Sequence, residues 1–136
     1  MDLTDRKIIE TLKKDSKVAL SYISDNVNLS TPSVRERINK MKDMGIIKKY
    51  TIDIDYKTLG YDIDVIINIV IKNNLYKIFK TFIATQDNVE FCYRISGDSC
   101  FIFKVHFKNM MDVERFVDNL QEYGHTKTHF IFSKTI

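Results

Sequence analysis

The chain has 136 residues, 44% of them hydrophobic, which is enough for a core but short for two ordinary domains. No run of about 18 uncharged apolar residues occurs, so no transmembrane helix is expected; the acids of "MDLTDRKIIE" stand where a signal peptide needs basic and then apolar residues. Charge is uneven: residues 1–50 sum to +4 and residues 51–136 to −1, which points to one end meeting a polyanion.

The first 45 residues read as three short helices. Ile8, Ile9 and Leu12 form an apolar stripe, and Asp2 and Asp5 favour the N-terminal end of that helix. Leu20 to Val27 follows, with Ile23 and Val27 four apart, and Asn28 then tolerates the left-handed backbone of a tight turn. Ser30 or Thr31 caps the third helix, Pro32 fits its first turn, and Gly45 closes it. Val34, Ile38 and Met41 line its inner face.

After Gly45 the period changes from helical to alternating. "IIKKYTIDIDY" reads as a strand with Ile52 and Ile54 between polar neighbours, and Leu59–Asp62 reads as the joint between two units. "DIDVIINIVIK" is a long strand, Leu75 to Gln86 is helical, and Val89–Ile95 and Phe101–Phe107 are strands. Met110 to Tyr123 is helical again, and "THFIFSK" is a last strand. The order β-α-β-β-α-β is that of the ferredoxin-like split βαβ unit, with both helices on one face of the sheet. The apolar rows Ile63/Val65/Ile67/Ile69, Phe101/Phe103/Val105/Phe107 and Phe130/Phe132 fit the covered face. The opposite rows mix polar and apolar groups: Ile66, Asn68 and Val70; Cys92 and Arg94; Ile102, Lys104 and His106; His129 and Ile131. Such a face suits contact between two copies of the chain.

"LSTPSVRERINKMKDMGIIKKY" is the most informative stretch. A helix, a tight turn and a capped second helix make a helix-turn-helix, which places the second helix in the major groove. With Val34, Ile38 and Met41 inward, Ser33, Glu36, Arg37 and Lys40 face out, with Arg35 and Lys42 on the flank. The helix start at Thr31 suits a phosphate, and Lys48 and Lys49 reach the backbone beside the groove. Arg35, Arg37 and Lys40 are the leading DNA contacts, with Ser33 and Glu36 near bases.

The stretches "LTDRKIIETLKKDSKV", "ISDNVNLSTPSVRERINKMKDMGIIKKYTIDIDYKTLGY", "FCYRISGD" and "GHTKTHFIFSK" follow one another in that order and at these distances. On them the chain resembles the Lrp/AsnC family of feast/famine transcriptional regulators over almost its whole length. The resemblance implies an α+β protein: a winged helix-turn-helix over residues 1–48, a linker strand and hinge over 49–61, and a ferredoxin-like, effector-sensing and oligomerising domain over 62–136. It implies double-stranded DNA with an imperfect palindromic operator as partner, an amino acid or related metabolite as effector, and dimers assembled into tetramers or octamers. The family usually has Ser or Thr where Ala19 stands, often Gly at Asn28 and Arg at Lys17; each difference adjusts stability by about 1 kcal/mol or less. The family's Arg is kept as Arg37. The resemblance also assigns Gly97, Asp98, Ser99 and Cys100 to the effector loop, usually Gly-Asp-x-Asp, here with Cys100 in place of the second acid.

Signals for catalysis are weak. His106, His125 and His129 lack the HxH or HxxxH spacing that converges on one ion, so no metal is expected. Cys92 and Cys100 form neither a disulfide framework nor a CxxC pair, and no Lys- or His-rich neighbourhood activates either thiol; the cytoplasm is the expected compartment. No P-loop or Rossmann fingerprint occurs, and no cofactor is expected. Two alternatives share the architecture: a sirohaem-decarboxylase-like enzyme, as other proteins resembling this family are, and an oligomeric sensor that does not bind DNA. The basic, capped third helix argues against the first.

Overall fold

The computed structural model describes residues 1–136, which form two compact units, Met1–Asp53 and Ile54–Ile136. The first unit is built from α1 (Leu3–Lys14), α2 (Leu20–Val27) and α3 (Thr31–Asp43). The local chemistry that starts and stops each helix is explicit. Asp2 and Asp5 form a capping box at α1, each carboxylate accepting the other's backbone N–H at 2.9–3.1 Å. Ala19 gives α2 no side-chain cap, and Asn28 ends that helix in the left-handed region at φ 56°. Ser30 Oγ accepts the Ser33 N–H at the start of α3. A Schellman turn ends α3, where Gly45 (φ 74°) donates to the Lys42 carbonyl and Ile46 to that of Met41. Ile8, Ile23, Val34, Ile38 and Met41 are the buried core where the three helices meet.

The strand expected over residues 46–56 is not formed. Its alternating isoleucines remain in water, Ile52 at 75% exposure, because the segment pairs with no strand of the sheet and an unpaired strand is not stable in water.

The second unit holds β1 (Ile63–Ile71), α4 (Tyr76–Ala84), β2 (Val89–Arg94), β3 (Phe101–Phe107), α5 (Met110–Leu120) and β4 (Gly124–Phe130). The strands form one antiparallel sheet in the order β2-β3-β1-β4, the ferredoxin-like arrangement, so the architecture is α+β. Alternate residues of β1 and β3 (Val65, Ile67, Ile69; Phe101, Phe103, Val105) pack against Phe79 and Ile83 of α4 and Val113, Phe116 and Leu120 of α5. No helix is long and apolar enough to cross a membrane.

Two expected rows change. A bulge between Val89 and Phe91 shifts β2 by one residue, so Cys92 pairs with Phe103 and Arg94 with Phe101, on the helix-covered side. Phe91 and Tyr93 take their place on the open face, opposite Lys104 and Ile102. At the other edge β4 stops at Phe130, and Phe132 lies beyond it, 94% exposed instead of covered by helices. Ile131 still donates its N–H to the Asp64 carbonyl at 2.9 Å.

Candidate nucleic-acid interface and effector loop

The outward side of α3 carries Arg35, Glu36 and Lys40, all exposed, with Thr31 and Ser33 half-buried near its start. Pro32, Arg35, Glu36, Asn39, Lys40 and Asp43 line one continuous depression. Asn39 is an addition to the expected set. It is uncharged, so a search for basic residues passes over it, yet it lies three and four positions from Glu36 and Arg35 on the same face. Lys48 and Lys49 are exposed in the segment that follows. Lys42 does not face outward alone: its ammonium sits 5.8 Å from the Tyr50 ring centre.

Arg37 differs from its neighbours. It is on the flank of α3 that meets α1, with its side chain 32% exposed. Its Nη1 donates to Asp2 Oδ1 at 2.9 Å, Asp2 Oδ2 at 2.8 Å and Asp5 Oδ1 at 3.1 Å. The Arg37 bond, followed by the Asp5 backbone N–H, holds the Asp2 carboxyl down to about 2, and the two carboxylates raise the Arg37 guanidinium. These partners are 32 and 35 residues apart in sequence, so local pattern does not reveal them.

The Gly97–Cys100 loop, expected to hold an effector, joins β2 to β3. Gly97, at φ 99°, makes the bend, Ile95 donates to the Cys100 carbonyl at 3.0 Å, and Cys100 donates to the Ile69 carbonyl at 2.8 Å. Asp98 is exposed, and Ser99 and Cys100 are half-buried. Cys100 has a partner that the sequence does not show: its Sγ lies 3.1 Å from the Tyr76 hydroxyl of α4, and Arg94 stands 5.4 Å over the Tyr76 ring. The Tyr76 hydroxyl, then the Ile71 backbone N–H, lower the Cys100 thiol, while Tyr76 is raised. Burial raises Cys92. The Cys100 thiol is thus lowered without a Lys- or His-rich neighbourhood, by the Tyr76 hydroxyl first, with Arg94 adding to it.

His106 is the other feature that spacing concealed. It lies on the open-face row of the sheet but is only 2% exposed. Its Nδ1 lies 2.6 Å from Asp64 Oδ1 on β1, its Nε2 3.0 Å from Glu90 Oε2 on β2, and the Tyr56 ring stacks on it at 3.7 Å. Each carboxylate takes a separate nitrogen on opposite sides of the ring, so the trio does not converge on a point where an ion could sit. His125 and His129 are exposed on β4, opposite Val70 and Ile66. Between them on the same face, Asn68 Oδ1 is buried without a hydrogen-bond partner.

Residues 1–48 match the winged helix-turn-helix DNA-binding family, and residues 64–136 match the Lrp/AsnC ligand binding domain. The HTH-type transcriptional regulator LrpC of Bacillus subtilis is 41% identical over 98% of this chain and 93% of its own length. The solved structure of B. subtilis LrpC superposes with a TM-score of 0.95 at 40% identity, covering 100% of this chain and 97% of that one. The structure of E. coli AsnC does so at 0.88 and 26% identity, covering 100% and 95%.

Proposed function

The chain belongs to the Lrp/AsnC family, and from that premise we propose how it performs its work as a DNA-binding transcriptional regulator. It is not an enzyme: its curated relatives are regulators, and the decarboxylase alternative is set aside. In this reading α3 enters the major groove, with Arg35, Glu36 and Lys40 toward base edges and phosphates and Thr31 and Ser33 at the helix start. Lys48 and Lys49 meet the flanking backbone, and Arg37 acts from the inner flank. The observation that supports it best is a capped helix whose outward cations, Arg35 and Lys40, form no ion pair within the chain. Two such helices in a dimer read half-sites about 34 Å apart, hence an imperfect palindrome. Footprinting on the protein's own promoter tests this: Lys40→Ala weakens binding about tenfold with the oligomer intact, and an unchanged footprint refutes the role of that face.

The second unit pairs two copies through the open face of its sheet, and higher assembly follows as tetramers or octamers in the cytoplasm. Support comes from the mixed polarity of that face, the exposed Tyr93 and Val70, and the unpartnered Asn68 oxygen, which a second copy can satisfy. An amino acid or related metabolite binds at the Gly97–Cys100 loop between subunits and favours one assembly over another through differential affinity. With Cys100 replacing an acid, an ammonium group has one carboxylate to meet there, Asp98. Isothermal titration with amino acids on wild type and Cys100→Asp tests the site; heat from neither protein refutes it.

A further inference from the structure

We infer that Arg37 is a positioning residue, which sets the placement of the recognition helix α3 against α1 through Asp2 and Asp5 and affects DNA only through that placement. The inference rests on α3 being the helix that reads DNA. Three carboxylate oxygens at 2.8–3.1 Å surround one guanidinium nitrogen, so the cation is already matched by two anions. A phosphate arriving at Arg37 would meet Asp2 and Asp5 as well, and the cluster of one cation and two carboxylates repels it. Arg35 and Lys40, by contrast, are exposed and bound to no acid of the chain.

The acids are not incidental surface charges. Asp2 is the N-cap of α1 and Asp5 closes the capping box, so the bond joins the first turn of one helix to the middle of another. It extends the seam in which Ile8 of α1 packs with Val34 and Ile38 of α3. Apolar packing alone leaves α3 free to rotate or slide by small amounts along that seam. A charge-assisted pair at its edge, with several acceptors converging on one donor group, fixes the register. The depressed Asp2 carboxyl is consistent with an ion pair that persists at neutral pH.

A direct contact and a positioning role predict opposite signs. In Asp2→Asn/Asp5→Asn the amide oxygens still accept the cap N–H groups, but the guanidinium loses both ion pairs and two negative charges leave the neighbourhood of the DNA. If Arg37 reads phosphate, this variant binds more tightly. If it positions α3, the variant binds more weakly despite its added positive charge, by about tenfold, and the amide resonances of Thr31–Asp43 shift in the free protein. Affinity is measured on a fragment of the protein's own promoter by gel shift, across a salt series, at a temperature where circular dichroism shows every variant folded. Arg37→Ala should leave the slope of log K against log salt unchanged, whereas loss of a phosphate contact lowers it by about 1. Should Arg37→Ala not fold, the asparagine variant and its single Asp2→Asn form give the answer. Tighter binding by the asparagine variants, a smaller salt slope in Arg37→Ala, or a lowered melting temperature with unmoved resonances and affinity each overturns the inference. Lys40→Ala separates the two levels: unchanged affinity there refutes the DNA-reading role of α3 itself, while weakened affinity with tighter asparagine variants refutes only the positioning role.

Discussion

Gly124 pairs with Ile71 across β1 and β4, and a Cβ built on it would lie 2.0 Å from the Val70 carbonyl oxygen and 2.8 Å from its carbon. Both are backbone atoms held by the sheet, so the strand itself must move to admit a methyl group. Gly124→Ala should destabilise the second unit by about 3 kcal/mol, the upper end for overpacking, read as a lower urea midpoint at unchanged slope. A second residue-scale expectation concerns the thiols. Since the Tyr76 hydroxyl lowers Cys100 and burial raises Cys92, iodoacetamide at neutral pH should label Cys100 first, and Tyr76→Phe should slow that labelling. Mass spectrometry of the two cysteine peptides checks both statements; equal labelling refutes them. None of this was legible from residue type. The Gly124 requirement comes from a neighbouring strand, and the cysteine's partner comes from a helix 24 positions earlier.

At the scale of elements, α1 shows how an ion pair at a helix cap makes the helix sensitive to acid. The Asp2 carboxyl titrates at about 2 in the folded chain, below its ordinary 3.8, so its contribution is complete above pH 4 and disappears as the pH falls through 2. Wild type should therefore lose more thermal stability than Asp2→Asn between pH 4 and pH 2, and parallel curves would contradict the pair. Helix ends were the most readable part of the sequence. Leu20–Val27 was recovered residue for residue, because Asn28, Ser30, Pro32 and Gly45 signal stops and starts through their own backbone chemistry. The outward face of α3 was readable for the same reason: period and caps alone place Glu36 and Lys40 outside. Strand partners were not. The bulge in β2 depends on pairing with β3, and it exchanged Cys92 and Arg94 for Phe91 and Tyr93 on the open face. His106 gained Asp64 and Glu90 from two other strands, so no spacing along one segment announces the trio. The alternating pattern of residues 46–56 matches a strand in its composition, but no strand of the sheet pairs with it.

For the whole molecule, the decisive unfinished surface is the open side of the sheet. Val70 and Tyr93 are exposed on it in the single chain, so replacing them does not disturb the core. Val70→Glu/Tyr93→Glu should shift the sedimentation of the protein toward the monomer while leaving its circular dichroism unchanged; an unchanged mass would place the subunit contact elsewhere. Fold class and the division into two units were legible because they follow from period changes along the whole chain. The open face of the sheet, the proposed subunit contact, was legible only as a row of mixed polarity, since its exact membership depended on the bulge.

The sheet order also has a consequence in time. β1 is central, and both strands that flank it, β3 and β4, come later in the chain across intervening helices. The three helices of the first unit, by contrast, are each built from hydrogen bonds between residues within about one turn of each other. Chains rich in local contacts close quickly, whereas strands that wait for distant partners close slowly. On dilution from denaturant the helix-turn-helix should therefore recover in an earlier kinetic phase than the sheet. For that interval the molecule holds a finished DNA-binding unit joined to a strand still waiting for both of its neighbours.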